Sequence, residues 1–125
     1  MLGNKDTMAT VAVRDLKAAK KFYEGTIGLE LLDTEGEEAL TYASGSSRLL
    51  VYRSPHAGSN EATAATWLVG DDIDEIVQAL RARGVAFEHY DMPGMTLKGD
   101  VHVAANMRAA WFKDPDGNIH ALVSG

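Results

Sequence analysis

The 125-residue sequence contains no cysteine, which excludes disulfides, thiolate catalysis and thiolate metal ligation together. Any metal would need His, Asp or Glu. The sequence also has no apolar run approaching the roughly 20 residues of a membrane-spanning helix, although 46% of its residues are hydrophobic. A soluble globular protein with no membrane partner is expected, at the size of one ordinary domain. The opening MLGNKDTMAT has neither a basic start nor an apolar stretch ending in a small-residue cleavage site. It does not read as a signal peptide, and the cytoplasm is the simplest location. There is no basic stripe either: twelve Lys and Arg are scattered through a chain of formal charge −6. Phosphate backbones would be repelled, so nucleic acid is not an expected partner.

What is present reads as one unit written twice. Thr10 to Val13 is a short strand, after which Asp15 caps a helix whose Leu16, Ala18, Ala19, Phe22 and Tyr23 recur at helical spacing. The helix stops near Gly25 to Gly28, and Leu29 to Leu32, Ala39 to Ala43 and Arg48 to Arg53 are extended, the last two joined by the turn Ser44-Gly45-Ser46-Ser47. The stretch from Ser54 to Thr63 is rich in Ser, Pro, Gly and Asn and marks a connection. The order then restarts: Trp67 to Val69 extended, Asp72 capping a helix with Ile73, Ile76, Val77 and Leu80, Gly84 ending it, and Val85 to Tyr90 extended. Asp15 and Asp72 lie 57 residues apart and Gly28 and Gly84 lie 56 apart, the period of a duplicated supersecondary unit. From Met92-Pro93-Gly94 to Asn106 the pattern weakens into polar, Gly-containing loops that would line a site. Met107 to Lys113 and Ile119 to Val123 then form a hairpin through the turn Asp114-Pro115-Asp116-Gly117-Asn118.

Several pieces, in order, carry a resemblance to a known family. They are Val13-Arg14-Asp15-Leu16 with Phe22-Tyr23 and Gly28-Leu29, then Asp71-Asp72-Ile73-Asp74 with Gly84-Val85, then Trp111 through Asn118. Together they resemble the vicinal oxygen chelate superfamily of glyoxalases, bleomycin resistance proteins and dioxygenases. The resemblance covers nearly the whole chain. It implies an α+β fold of two β-α-β-β-β modules, about residues 8–53 and 64–124 with a connection at 54–63, forming one domain whose eight strands make an open cup with helices outside. In metal-using members four strands each give a ligand, usually His, Gln or Glu. Counting from the motifs places those positions on Met8, Leu49 (to within one residue), Ala65 and Ala121. None is a plausible ligand for a divalent ion. No metal and no other cofactor are expected. Strand alternation then extends the inner wall to Thr10, Ala12, Val51, Trp67, Ala110 and Phe112, an apolar and aromatic concavity.

Other residues that could carry chemistry have bland readings. His120 should point away from Ala121, beneath a helix and near Trp111, as a core or surface histidine. His56, His89 and His102 read as solvated loop residues. Asp71, Asp72 and Asp74 suit a helix start, and Asp114 and Asp116 suit a turn. Met92, Met95 and Met107 would serve a binding rim or a core equally well, and Tyr42, Tyr52 and Tyr90 could offer hydroxyls. The functional expectation is a metal-free protein with no catalytic residues that sequesters a hydrophobic or aromatic ligand of antibiotic type, acting as a homodimer. Its competitors are an enzyme (lyase, isomerase or dioxygenase-like, metal-independent or with unrecognised ligands) and an interaction module whose cup is filled by its own side chains. Neither a Ser-His-Asp set nor a carboxylate pair is apparent to support catalysis.

Overall fold

The computed structural model describes residues 1–124. It resolves into two compact units that meet after Ala57, inside the connection expected at 54–63. In the first unit, β1 (Ala9–Val13) leads into α1 (Leu16–Lys20) and a wider π turn over Lys21–Thr26; β2 (Glu30–Glu35), β3 (Ala39–Ser44) and β4 (Ser47–Arg53) follow. Asp15 starts α1 by accepting from the amides of Lys17 and Ala18, which satisfies two donors the helix cannot. The π turn closes through Ile27 N–H to the Phe22 carbonyl. The four strands lie in the order β1-β4-β3-β2, with β1 and β4 parallel.

The second unit repeats this plan and adds to it. It runs β5 (Thr63–Leu68), a 3-10 turn over Gly70–Asp72, α2 (Ile73–Ala82), β6 (Phe87–Glu88), β7 (Thr96–Lys98), β8 (Val101–Val103), β9 (Arg108–Lys113) and β10 (Ile119–Ser124). Parallel β5 and β10 correspond to β1 and β4, antiparallel β9 to β3, and β6, which pairs with β9, to β2. The extra element is the β7-β8 hairpin, which continues the sheet along the same edge of β9. The eight strands of the two repeats are present, and the hairpin brings the total to ten among the described residues. The segment 91–106 is not merely irregular, because two three-residue strands form within it. Neither has an apolar run long enough to announce itself.

The turn joining β9 to β10 forms as its sequence predicts. Asp114, 5% exposed, accepts from the amides of Asp116 and Asn118 and from the Asn118 side chain, so it is a structural carboxylate. Gly58 packs against this turn with φ +71°, and a Cβ there would come within 1.8 Å of the Asp116 carbonyl oxygen. Only glycine fits. No helix among the described residues is long and apolar enough to cross a membrane.

Candidate functional site

Each sheet has one face under its helix and one face without. Register decides which side chain lies on which, because partners across a ladder share a face. In the first unit Val11 stands beside Val51, Val51 beside Leu40, and Leu49 beside Tyr42. All five are buried. They meet the helical segment, where Tyr23 stacks on Tyr42 at 6.0 Å and the Tyr42 hydroxyl donates to Glu24 at 2.9 Å. Burial first, and then the Glu24 carboxylate, push that hydroxyl above its ordinary range. The other face carries Thr10, Ala12, Thr41, Ala43, Leu50 and Tyr52.

In the second unit the helix-covered face carries Ala65, Trp67, Ala110, Phe112, His120 and Leu122. Arg108, on the same face, pairs with Asp74 of α2 at 2.7 Å, and Ile73, Val77 and Leu80 of α2 are buried. Trp67 stacks on Phe112 at 6.3 Å and meets His120 edge-on at 5.2 Å. His120 is fully buried, and the loss of solvation lowers it from 6.5 to about 4 against a weak opposing pull from Asp114. The helix-free face carries Thr66, Leu68, His102, Ala109, Trp111, Ala121 and Val123.

These registers sort the expected wall residues. Thr10, Ala12 and Ala121 lie on helix-free faces, as expected, and Met8 sits just before β1, 41% exposed. Leu49, Val51, Ala65, Trp67, Ala110 and Phe112 do not join them, being on the helix-covered faces. The reason is parity: a slip of one residue in counting along a strand exchanges its two faces completely. Their neighbours Leu50, Tyr52, Thr66, Leu68, Ala109 and Trp111 take their place. His120 is beneath the helix, as expected, but its partner across the hairpin is Phe112 rather than Trp111.

The correction exposes a cluster that counting missed. Trp111 meets His102 edge-on at 4.9 Å and Tyr90 edge-on at 5.4 Å, while Tyr90 stacks on His102 at 6.1 Å. His102 is 1% exposed, so it is not the solvated loop residue expected. Its Nε2 accepts from the Tyr90 amide at 2.9 Å. The same segment is tied down by Asp100, which bonds His89 at 2.7 Å and Arg81 of α2 at 3.2 Å. On the same face lie the small, buried Ala109 and Ala121 and, two strands from β9 on the edge strand β5, the largely exposed Leu68, at 87%. The signal that could have found this cluster is the pairing of Trp111 with Ala121 across a confidently predicted hairpin.

The residues at the family's ligand positions do not suit a divalent ion. Met8, Leu49, Ala65 and Ala121 offer no carboxylate or imidazole, and the register-corrected Leu50 and Thr66 add neither. No group of three His, Asp or Glu among the described residues could hold one.

No curated protein sequence matches the chain. Solved structures do. A lactoylglutathione lyase from Agrobacterium tumefaciens superposes with a TM-score of 0.74 at 19% identity, over 97% of this chain and 94% of its own. The fosfomycin resistance protein FosX from Listeria monocytogenes gives 0.74 at 14%, over 98% and 93%. A glyoxalase family protein from Enterococcus faecalis gives 0.74 at 18%, over 99% and 100%. At such identities the likeness is one of fold. The sequence itself matches a family profile from residue 7 to residue 122, and the chain belongs to the Glyoxalase/Bleomycin resistance protein/Dioxygenase superfamily.

Proposed function

We propose that this protein binds a hydrophobic or aromatic small molecule of natural-product type without a metal, and sequesters it rather than transforming it. The observation that carries the reading is the helix-free face of the second unit. There Trp111 and Tyr90 supply half-buried aromatic surface beside the small, buried Ala109 and Ala121, and Leu68 is exposed. Partly exposed aromatic side chains of this kind suit a planar apolar guest. Donors of metal-binding type are missing at the family positions, which favours capture over Lewis-acid chemistry. The Listeria relative is named a fosfomycin resistance protein, and resistance by sequestration is the role assigned here. A homodimer belongs to the same reading and is checked by light scattering.

The competing reading is an enzyme, favoured by the name of the Agrobacterium relative, a lactoylglutathione lyase. It is the weaker of the two because, of the buried titratable groups, Asp114 serves a turn, His120 a core, and the His102 Nε2 is taken by the Tyr90 amide. A panel of planar aromatic compounds, tested by shift in melting temperature, checks the proposal. Binders should appear, and Trp111→Ala should weaken them about ten-fold or more, the equivalent of roughly 1.4 kcal/mol. Turnover of a panel compound, or no binder at all, would refute it.

A further inference from the structure

The aromatic cluster contains one polar atom that its own fold leaves unused. A backbone amide can only donate, so the bond from Tyr90 N–H to His102 Nε2 requires that Nε2 be bare and that the ring proton sit on Nδ1. That Nδ1 is buried and has no hydrogen-bond partner among the described residues. Buried donors are almost always satisfied, and an exception calls for an explanation. The Asp100 carboxylate, two residues back in the chain, bonds His89 and Arg81 but not this nitrogen. The ring projects from β8 on the helix-free face, against Trp111 and Tyr90. Leu97, its partner across the hairpin, is 41% exposed.

We infer that His102 is a specificity-determining residue whose Nδ1–H selects planar aromatic ligands carrying a hydrogen-bond acceptor, such as a carbonyl oxygen. The inference rests on the aromatic-ligand reading of this face and narrows it. A flat hydrocarbon would stack on Trp111 yet leave the donor unsatisfied; a flat lactone or ketone would do both. The Tyr90 amide fixes the tautomer, so the donor is set before the ligand arrives.

Two probes of similar shape test this, coumarin with its lactone carbonyl and naphthalene without one, titrated into the full chain and followed by NMR. Nitrogen-15 shifts of His102 should report the Nδ1–H tautomer in the free protein, and coumarin should bind at least ten-fold more tightly than naphthalene. His102→Asn places an amide N–H near the Nδ1 position and should keep the preference. His102→Gln places its amide near the Nε2 position, facing Tyr90, and should lose the preference, the two probes then binding within two-fold of each other. An Nε2–H tautomer, equal binding of both probes, or a preference that survives in His102→Gln would overturn the inference and leave the aromatic-ligand reading standing. If neither probe binds, that reading falls and the inference falls with it.

Discussion

Replacing Trp67 with alanine separates a core role from a ligand role, and the structure commits to the core. The indole lies on the helix-covered face, stacked on Phe112 and edge-on to His120, both of which are buried. Truncating a fully buried Trp costs about 3–5 kcal/mol. Trp67 is on the edge strand β5 and only half-buried, so the cost falls below that range, at about 2–3 kcal/mol. Part of that cost is the wetting of His120, whose ring the indole shields. For a chain of this length the loss lowers the melting temperature by roughly 10 °C. Urea denaturation of Trp67→Ala and Trp111→Ala side by side is the assay. Trp67→Ala should lose stability yet, while folded, bind an aromatic ligand with parental affinity; Trp111→Ala should show the larger binding defect. A Trp67→Ala protein within about 0.5 kcal/mol of the parent but unable to bind would show that the faces have been assigned the wrong way round.

Stability should also fall in mild acid. His120 is lowered from 6.5 to about 4 when folded, so between these values the unfolded chain takes up a proton that the folded chain refuses. Its share of stability is intact above about pH 6.5 and drains away toward pH 4, by up to about 3 kcal/mol. His120→Phe should flatten that slope in denaturation curves from pH 7 to 4.5, and an unchanged slope would exclude His120 as its source. Gly58→Ala, with its Cβ driven into the Asp116 carbonyl, should cost well over the roughly 1–2 kcal/mol of a left-handed alanine. Gly45→Ala, with φ +57° and nothing within 4 Å, should cost only that, and equal losses would refute the close approach. Protein purified without chelator should carry no stoichiometric Zn, Ni, Fe or Mn, and divalent ions should not raise its melting temperature. A fully occupied metal bound through His102 or His120 would revive the enzyme reading.

The repeated β-α-β-β-β core of each unit is legible in the sequence alone. Asp72 starts α2 without a side-chain cap bond, but the Asp15 helix start, the repeat near 57 residues and the Asp114 to Asn118 turn all depend on short-range chemistry: a carboxylate meeting free amides, a period of apolar residues, a proline and a glycine in one tight turn. All three are legible without knowing what packs against what. Facing was not. Thr10 and Ala121 lie on helix-free faces, whereas Trp67 and Phe112, of the same expected wall, lie on the helix-covered face. Alternating strands as apolar on both faces as Arg108 to Lys113 carry no internal mark of which face a helix will cover. Only pairing settles that, and pairing is tertiary: Ala65 shares a face with His120 because β5 lies beside β10 in that register. The β7-β8 hairpin was hidden for a related reason, since three-residue strands gain their stability from the sheet they join rather than from their own composition. The Tyr90, His102 and Trp111 cluster depends on both. Its members come from three separate strands or strand ends, and no spacing along the chain brings them together until the sheet does.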